Sequence, residues 1–591
     1  MNIELHPRPA RLQVRPGRVT FAGEVSIACP APDYAPLHVG LTQLKAALNR
    51  IAGCKPQVVS SKSAAQGLVI TLASSASSIP SDGYRLGITS KGIQLEASTT
   101  AGIYYGIQTL CQILDQTDKR GATASLSIQD APSFSARGMM LDISRCKVPK
   151  LDTLKQLITQ FSRLKINQLQ LYTEHTYAFA DHRTVWKNAS PLTSEDILEL
   201  DRHCRQHFIE LVPNFNSFGH WERWLRHAEY KSYANRPEGF TNLWGTRYPH
   251  GSLLKPNAAT LQLLDRLYEE FLANFSSAQF NVGCDETFEL GTGWSEAMCK
   301  RRGTEQVYLD FLKKINALTQ NHQRKMMFWG DIIIKQPDLI PALPKSAIAL
   351  EWGYEANHPF KQDCQAFAAS GIPFYVCPGT SSWNSLTGRS ENALGNLSSA
   401  AREGAKQGAT GYLVTDWGDN GHHQYLPISY VPFAAGACLA WNAKQAPNAE
   451  AAASRFFFED DRAATLFAKL GHTHDGFTTP FANSSAFHHL LFHGREPHEK
   501  LLNLRTSELR AADKKLQGLR EQRSAIKDTL TRREFVNAID LARYGVHRGL
   551  RLKQVTTRNN SLKRIRATHR ELWLARNRRG GLPESLSRLP K

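Results

Sequence analysis

The chain lacks the segments that anchor, export or cross-link a protein. No run of 18 apolar residues occurs in its 591 residues, so no transmembrane helix is predicted. The start, MNIELHPRPARLQVRPG, has no apolar stretch between its charges and does not resemble a secretory signal. This favours an intracellular location, unless an export signal has been removed. The ten cysteines are scattered without a C-x-x-C pair, which favours reduced thiols over disulfides or a zinc site. We therefore expect a cytoplasmic protein with no membrane partner, no metal and no cofactor.

The positive charge is concentrated near the carboxyl terminus. Leu491 to Lys591 contain 25 Lys and Arg against 10 Asp and Glu, which accounts for +15 of the formal net charge of +19. Residues 446–591 show helical periodicity and no strand pattern, so we predict a basic helical C-terminal region. Such a surface could meet phosphate, an acidic glycan or a partner protein, or be a solvated helical face. No zinc-finger, RNP or helix-turn-helix pattern accompanies the charge, so nucleic acid is a disfavoured partner.

Residues 1–130 have a different pattern. They contain short strands with alternating apolar residues, such as Gly67–Ala73, Gly83–Thr89 and Ile93–Ala97. The segment Ala101–Leu114 then shows the apolar spacing of a helix. We interpret this region as a small α+β domain.

Residues 131–445 alternate buried-type apolar strands with amphipathic helices. The eight predicted strands are Arg137–Ser144, Gln168–Glu174, Ile209–Asn216, Phe280–Glu286, Met326–Asp331, Ile348–Tyr354, Phe374–Trp383 and Gly411–Asp419. The helices between them include Asp152–Lys165 and Ser194–His207, the latter introduced by hydroxyl and acidic residues that suit a helix start. Each parallel return needs a helical crossover, so eight alternations predict an α/β fold of the (β/α)8 or TIM barrel type.

The most informative segment is Phe280–Glu286, an apolar strand that ends in two adjacent carboxylates. Neighbouring residues on a regular strand point to opposite faces, so Asp285 and Glu286 can serve one site only where the strand is ending. Two carboxyl groups of unequal pKa are the usual equipment for breaking a glycosidic bond. Polar and aromatic residues gather at the ends of the same predicted strands, namely Glu174, Asn216, His220, Asp285, Glu286, Trp329, Asp331, Trp352, Trp383, Trp417 and Asp419. We expect an active site at the carboxyl end of the barrel.

Four stretches together resemble glycoside hydrolase family 20, the β-N-acetylhexosaminidases. Phe280–Glu286 is similar to the family's (His/Asn)-x-Gly-x-Asp-Glu signature, and Arg137–Arg145 to its Arg-Gly-x-x-x-Asp-x-x-Arg first strand. Pro213–His220 resembles the third-strand motif that ends in Gly-His, and Trp417–Asp419 the Trp-x-acid of the last strand. The resemblance extends over roughly residues 1–445. The sequence of Leu171–Tyr177 is more similar to the intracellular hexosaminidase D-like branch than to lysosomal or chitin-degrading members.

The resemblance implies an exo-acting enzyme that removes terminal β-linked N-acetylhexosamine, GlcNAc or GalNAc, from an oligosaccharide or glycoconjugate. It implies retaining, substrate-assisted catalysis, in which the 2-acetamido oxygen of the substrate attacks the anomeric carbon. Glu286 would then be the general acid, and Asp285 would hold the acetamido N–H and stabilise the oxazolinium intermediate. His220, oriented by Glu174, would contact Glu286. Assembly as a homodimer remains open.

Seven further residues are assigned to sugar binding by the same resemblance. Arg137 is expected to donate a forked pair of hydrogen bonds to sugar hydroxyls, and Asp419 to bind O4 or O6. Trp329 and Trp417 resemble walls of the acetamido pocket. Trp352 and Trp383 are looser matches, and Asn216 stands where many members of the family have aspartate. Arg137 has a plain alternative as a structural ion pair, and the tryptophans as barrel core.

One departure from the family pattern keeps other substrates open. The family's strand-seven Tyr-x-Asp, whose tyrosine binds the acetamido oxygen, is here Trp383-Asn384-Ser385. A related barrel glycosidase acting on a non-acetylated or sulfated β-hexosaminide is therefore an alternative. A non-catalytic glycan- or nucleic-acid-binding protein is a further alternative, against which the intact Asp285-Glu286 pair argues.

Overall fold

Two sheets and a set of helices follow one another along the chain. The computed structural model describes residues 3–62, 66–74, 78–241, 245, 247–494, 498–557 and 561–590. The strands of the first sheet end at residue 130, those of the second begin at residue 136, and helices prevail from residue 449 onward. The boundaries predicted near residues 130 and 445 remain predictions.

The first sheet has seven strands in the order β1-β7-β5-β6-β4-β2-β3. Its strands are β1 Arg11–Thr20, β2 Gly23–Ala28, β3 Cys54–Val59, β4 Leu68–Ala73, β5 Tyr84–Thr89, β6 Gly92–Ala97 and β7 Ala122–Asp130. Two helices, Ala31–Asn49 and Thr100–Leu114, pack against it and against each other. The apolar sides of helices and sheet form one core, so the predicted α+β domain is confirmed.

The second sheet is an eight-stranded parallel barrel. Its strands are β8 Ala136–Asp142, β9 Gln168–Tyr172, β10 Glu210–Val212, β13 Gln279–Asn281, β14 Lys325–Trp329, β15 Ile348–Trp352, β16 Phe374–Cys377 and β17 Gly411–Asp416. Between β10 and β13 the chain forms a separate hairpin of two short strands, β11 Phe240–Thr241 and β12 Arg247–Tyr248. The sheet order runs from β10 through β8 and β17 to β13. The amide of Phe215 donates to the carbonyl of Asn281 at 3.0 Å, and this contact draws the two outer strands together. The predicted (β/α)8 barrel is confirmed.

Helices cover the outside of the barrel. They are Leu151–Arg163, Arg183–Trp186, Ser194–Gln206, Glu222–Leu225, Ala258–Leu272, Glu296–Arg302, Thr304–Asn321, Phe360–Ser370, Ser390–Lys406 and Tyr430–Trp441. The helix Ser194–Gln206 begins with a capping box, because the Thr193 hydroxyl and the Asp196 carboxylate each accept from the other's backbone N–H. The barrel interior is filled by large side chains, including Met140, Tyr172 and Met327, so the barrel is a packed core and not a channel.

The C-terminal region is helical, as predicted. Its α-helices are Ala449–Ala453, Asp461–Gly471, Ala486–Phe492, Thr506–Glu521, Thr529–Leu552, Leu562–Arg576 and Leu582–Arg588. Apolar residues at helical spacing, such as Leu509 and Leu516, are fully buried within the chain, whereas Leu502 is 74% exposed. No helix in the described part of the chain is long and apolar enough to cross a membrane.

A short backbone clasp joins the C-terminal region to the loop after the first barrel strand. The amide of Lys150 donates to the carbonyl of Arg576 at 2.9 Å, and the amide of Arg578 donates to that of Val148 at 2.8 Å. An ion pair between Arg578 and Asp196, at 2.8 Å, adds a side-chain contact. The C-terminal region therefore lies against the carboxyl end of the barrel.

Arg137 lies at the opposite, amino end of the barrel, and the role predicted for it in sugar binding is wrong. It is the second residue of β8 and is fully buried. Its guanidinium donates to the carbonyls of Phe134 and Lys165 and forms an ion pair with Asp82 at 2.9 Å. It also lies over the ring of Trp441, 5.0 Å from the centroid. Arg137 therefore joins the α+β domain to the barrel, as the plain alternative held.

Candidate active site

The two adjacent acids stand where the chain has left strand geometry. Strand β13 ends at Asn281, and Gly283, Cys284 and Glu286 all have positive φ angles, of 67°, 69° and 49°. This left-handed backbone costs a non-glycine residue of order 1 kcal/mol or more, and such residues cluster at functional sites. The turn releases Asp285 and Glu286 from the alternation of a strand, so both carboxyl groups face the same hollow.

A glycine in the neighbouring loop allows a close approach behind these acids. A Cβ on Gly219 would lie 2.5 Å from the carbonyl oxygen of Asp285, which no real side chain tolerates. The absence of a Cβ lets the loop after β10 pass against the acid loop. His220 follows directly and is thereby placed beside both carboxyl groups.

The hollow is a pocket of about 110 Å³ at the carboxyl end of the barrel strands. Most of its lining comes from residues that follow strands. The lining residues are Arg145, Asp285, Glu286, Trp329, Trp352, Tyr354, Trp383, Trp417, Asp419 and Asn483. Seven of the predicted site residues therefore meet here, and the remaining ones in the same half of the barrel lie directly behind the acids.

Asp285 is held in its ionised form. The Asn216 amide donates to its Oδ1 at 2.8 Å, and His220 Nε2 lies 3.2 Å from its Oδ2. Burial opposes ionisation, yet the positive charge of His220 and the hydrogen bonds from His220 and Asn216 hold the pKa of Asp285 below its ordinary value. Asn216 was assigned to the sugar from the sequence, but the structure places it as a support for this carboxylate.

Glu286 has the opposite electrostatic environment. Burial raises the pKa of Glu286, and the charge of Asp285 adds to the rise although His220 opposes it. A third carboxyl group, Asp331, accepts a hydrogen bond from the backbone amide of Glu286 at 3.3 Å. Burial and the charges of Asp285 and Glu286 raise the pKa of Asp331 to about 7. Neighbouring acids with pKa values displaced in opposite directions can act as a proton donor and a fixed negative charge.

His220 connects the acids, but its principal partner differs from the predicted one. Its Nε2 is nearer to Asp285, at 3.2 Å, than to Glu286, at 3.6 Å. Burial disfavours a charged imidazole, yet the Asp285 carboxylate raises the pKa of His220 to about 10. Glu174 lies 4.0 Å from Nδ1, and burial raises the pKa of Glu174 to about 7 against the opposing charge of Arg145. His220 is therefore a cation that is shared among acids.

Aromatic side chains form the walls of the pocket. The rings of Trp329 and Trp417 lie 6.0 Å apart, and Trp352 stacks on Tyr354 at 5.0 Å. The indole N–H of Trp417 donates to the hydroxyl of Tyr354 at 2.7 Å, and Thr415 is a second side-chain hydrogen-bond partner of that hydroxyl. Trp383 packs edge-on against the same tyrosine. Flat apolar walls with a few polar groups suit a sugar ring and its acetamido methyl group.

Asp419 completes the polar side of the pocket. It has a positive φ of 40° and accepts a hydrogen bond from the side-chain amide of Asn384 at 3.2 Å. Burial raises the pKa of Asp419. A carboxylate of this kind can accept hydrogen bonds from sugar hydroxyls.

Arg145 is the arginine of the pocket, and the sequence interpretation missed it. It lies 3.3 Å from Glu174 and 3.5 Å from Asp142, and its guanidinium covers the rings of Tyr172 and Trp417. Both ion pairs are made by Nη1 of Arg145, which makes no hydrogen bond of good geometry, and Nε1 of Trp329 and Oδ1 of Asp331 have no hydrogen-bond partner among the described residues. Buried atoms of this kind are expensive unless a ligand satisfies them. The sequence did contain an indication of this role, because Arg145 is the second arginine of the first-strand motif Arg137–Arg145.

Asn483 is a second residue that the sequence did not indicate. It belongs to the C-terminal region, has a positive φ of 50°, and its backbone amide donates to Glu355 at 2.8 Å. Its exposed side chain lines the rim of the pocket. No motif in the sequence marks it, since its position depends on how the helical region packs on the barrel.

One group of side chains among the described residues has the spacing of a metal site. Glu351, His358 and Asp363 place one ligand atom each within 4.8 Å of the others. Nε2 of His358 lies 2.9 Å from Glu351 and 3.4 Å from Asp363. Burial and the charge of Asp363 raise the pKa of Glu351, so a proton shared between the two carboxyl groups also accounts for the cluster. The cluster lies behind Trp352 and was not predicted.

Two sequence profiles match most of the chain. Residues 2–131 match "Glycosyl hydrolase family 20, domain 2", and residues 134–400 match "Glycosyl hydrolase family 20, catalytic domain". The chain belongs to glycoside hydrolase family 20. The resemblance seen in the sequence is thereby confirmed at the level of the family, and residues 134–400 form the catalytic domain of that family.

Curated relatives are distant, and each match covers only part of the relative. Beta-hexosaminidase 3 of Arabidopsis thaliana is 24% identical over 295 residues, which are 46% of this chain and 52% of that protein. Lacto-N-biosidase of Bifidobacterium bifidum is 21% identical over 298 residues, which are 48% of this chain and 25% of that protein. The chain thus spans about half or less of the length of these relatives.

Solved structures share the fold. A chitobiase from Flavobacterium johnsoniae has a TM-score of 0.63 at 18% identity, and the match covers 95% of each chain. A mutant Streptomyces plicatus beta-hexosaminidase in complex with its product GlcNAc has a TM-score of 0.55 at 17% identity, covering 79% of this chain and 94% of that one. The first match extends over the C-terminal helices as well as the barrel.

Proposed function

We propose that this family 20 glycosidase removes terminal β-linked N-acetylhexosamine from oligosaccharides or glycoconjugates in an exo fashion. The observation that carries the proposal is the pairing of Glu286 and Asp285 in one buried, tryptophan-walled pocket, with their pKa values displaced in opposite directions. The pocket is small and formed by several loops, which favours one terminal sugar over an internal segment of a chain.

Catalysis in this proposal uses the acetamido group of the substrate as the nucleophile. Glu286 donates its proton to the glycosidic oxygen while the bond from that oxygen to C1 breaks. The acetamido oxygen forms a new bond to C1, and Asp285 accepts a hydrogen bond from the acetamido N–H as the oxazolinium develops. Intramolecular attack has a large effective molarity, which removes the need for an enzymic nucleophile.

The second step reverses the roles. The carboxylate of Glu286 takes a proton from water as the water oxygen bonds to C1, and the bond between C1 and the acetamido oxygen breaks. Two inversions at C1 give overall retention of configuration. His220 keeps Asp285 ionised through both steps, since its cationic form is stabilised by that carboxylate.

Tyr354 supplies a hydroxyl on the acetamido side in this proposal. Trp383 occupies the position at which the family pattern has a tyrosine, and it packs against Tyr354 with ring centroids 5.0 Å apart. The hydroxyl of Tyr354 accepts from Trp417, and in this proposal its own proton turns from Thr415 to the acetamido oxygen when the substrate binds. This arrangement supports an acetylated substrate over the non-acetylated alternative.

A panel of aryl β-glycosides with and without the 2-acetamido group tests the proposal. We expect hydrolysis of the acetamido sugars and none of the matched glucoside, galactoside or glucosaminide. A thiazoline mimic of the oxazolinium should inhibit, and inhibition should weaken after Asp285→Ala. Trapping of a covalent glycosyl-enzyme by a fluorosugar would instead establish an enzymic nucleophile and reject the mechanism.

Three finer points belong to the same proposal. We infer a cytoplasmic location, supported by ten cysteines of which none forms a disulfide. We also infer membership of the intracellular hexosaminidase D-like branch, supported by the sequence of Leu171–Tyr177. Assembly as a homodimer stays a prediction. Cell fractionation and analytical ultracentrifugation would test the location and the assembly.

A further inference from the structure

A second hollow of about 560 Å³ opens beside the active pocket. It is formed by the loops that follow the first three barrel strands and by residues 579–584 of the C-terminal region. In two places, adjacent residues of the chain face different hollows. Arg145 lines the active pocket and Cys146 the second hollow, while Glu174 faces His220 and His175 lines the second hollow. The two hollows therefore share a wall.

The lining of this hollow is strongly cationic, and we name it the basic cleft. Its charged lining residues are Lys187, Arg223, Arg226, Arg579 and Glu584. The single acid, Glu584, forms an ion pair with Arg223 at 2.8 Å. No carboxylate of the described residues lies within 4.0 Å of Lys187, Arg226 or Arg579. Burial and the neighbouring Arg223 lower the pKa of Arg226, although the charges of Glu222, Glu584 and Glu174 oppose the shift.

A buried histidine faces the cleft without a partner. His175 is 7% exposed, and its Nδ1 has no hydrogen-bond partner among the described residues. Burial and the nearby arginines lower the pKa of His175 well below its ordinary value, so the ring is neutral. A neutral imidazole offers one donor and one acceptor, as a ligand with hydroxyl groups requires.

Glycines show that the cleft is a closely built site. A Cβ on Gly581 would lie 1.6 Å from the carbonyl oxygen of Cys146, and a Cβ on Gly580 would lie 2.1 Å from the backbone of Ala189. Only glycine permits residues 580–581 to close against two barrel loops. The amide of Gly580 also donates to Ser190 at 2.9 Å.

We propose that the basic cleft binds an acidic sugar of the glycan, through the carboxylate or sulfate group of that sugar. Guanidinium groups bind such planar or tetrahedral oxyanions with paired, charge-assisted hydrogen bonds. The cleft is within the range of about 300–1,000 Å³ that is usual for small-molecule sites. No Trp, Tyr or Phe lines it, which disfavours a stacked nucleobase. The choice of a glycan as the source of the anion rests on the proposed function.

Isothermal titration calorimetry of the full chain tests this site. The active pocket is first saturated with N-acetylglucosamine, so that binding reports other sites. The three titrants are methyl β-glucuronide, the 6-sulfate of methyl β-glucoside, and neutral methyl β-glucoside. We expect the neutral sugar not to bind and at least one acidic sugar to bind; which one binds identifies carboxylate or sulfate as the recognised group.

Charge-matched double variants locate the binding. Arg226→Gln with Arg579→Gln should weaken the affinity for the acidic sugar by roughly tenfold or more, since each loses a charged hydrogen bond. Arg301→Gln with Arg510→Gln removes the same charge from exposed helical surfaces and should change the affinity less than about twofold. Equal weakening in both double variants, binding of the neutral sugar with equal affinity, or no binding of either acidic sugar to the wild type would overturn the proposal.

Aryl glycoside hydrolysis separates this inference from the proposed function. Neither Arg226 nor Arg579 lines the active pocket, so both double variants should hydrolyse a small aryl substrate at the wild-type rate. Wild-type protein that binds acidic sugars but hydrolyses no acetamido glycoside would reject the proposed function alone. Hydrolysis without binding would reject the cleft alone.

Discussion

An arginine lies at each end of the barrel, and the two arginines have different roles. Arg137 and Arg145 belong to one first-strand motif, yet Arg137 is fully buried at the amino end and bound to carbonyl groups and Asp82. Arg145 stands past the carboxyl end of the strand, where it is ion-paired with Glu174 and Asp142 and also lines the active pocket. An arginine that is enclosed on all sides can only hold the domains together, whereas one that borders a pocket can also contact a substrate.

The size of a hollow does not separate the two ends. The amino end of the barrel has a hollow of about 510 Å³, against about 110 Å³ for the active pocket. The amino-end hollow is lined by residues such as Gln168, Glu210 and Lys325 and by no tryptophan. The active pocket has neighbouring acids with divergent pKa values and left-handed backbone. Electrostatics and strain therefore mark the functional end.

The largest effect expected at the carboxyl end comes from Glu286→Gln. Loss of the proton donor should lower kcat/KM for substrates with poor leaving groups by about 10²–10⁴-fold. Aryl substrates with acidic leaving groups should be affected much less, because their leaving groups need little protonation. Steady-state kinetics on both substrate types checks the outcome, and the melting temperature should stay near that of the wild type. Equal losses on both types would contradict the role of Glu286.

The paired variants Arg145→Met and Arg137→Met test the comparison directly. Arg145→Met should lower kcat/KM by about ten- to a hundredfold through lost charged hydrogen bonds to the sugar. Arg137→Met should leave kcat/KM of the folded protein unchanged but cost about 3 kcal/mol of stability, because it leaves buried partners unpaired. Kinetics and denaturant unfolding of both variants give the answer. If Arg137→Met reduced activity in fully folded protein, the division between the two ends would fail.

His220→Gln should shift the pH dependence of kcat/KM. Activity needs Asp285 ionised, and its pKa is held low by His220. Without that cation the pKa of Asp285 rises, so activity is lost at a higher pH on the acid side of the profile. The alkaline side, set by deprotonation of Glu286, should move less. His322→Gln, at the amino end, is the control and should leave the profile unchanged; an acid limb that stays in place in His220→Gln would remove the link between His220 and Asp285.

Asn483→Ala should have the smallest effect. The side chain lies at the rim and is exposed. Its loss should therefore remove one neutral hydrogen bond to the substrate, worth about 0.5–1 kcal/mol of binding free energy. We expect KM to rise by about two- to fivefold with kcat little changed. This result would show that the C-terminal region contributes to substrate binding. Unchanged KM would confine the active site to the barrel.

The sequence predicted the elements of the barrel better than their ends. All eight predicted strands exist, but Phe280–Glu286 is observed as Gln279–Asn281, and Phe374–Trp383 as Phe374–Cys377. The residues that were predicted as strand but lie beyond it leave the sheet through left-handed turns. They include the pocket residues Asp285, Glu286 and Trp383. Apolar periodicity reports strand interiors and contains no signal for such turns.

The error at Arg137 has a physical lesson. The predicted strand itself began at Arg137, which puts that residue at the amino end of the barrel. Catalytic residues of TIM barrels gather at the carboxyl ends of the strands, so this rule favours Arg145 within the same motif. Asn483 and the basic cleft were beyond prediction, since both depend on contacts between segments that are distant in sequence.

The clasp between residues 148–150 and 576–578 also sets when the enzyme can become complete. A chain made from its amino end has all eight barrel strands once residue 416 has been added. Asn483 and the clasp come later, and synthesis at about 5–20 residues per second puts the clasp on the order of ten seconds behind the last strand. A nascent chain at that stage already carries Asp285 and Glu286 but neither the finished rim nor the basic cleft. The pocket rim is therefore completed late in biosynthesis, when the helices have emerged and settled on the barrel.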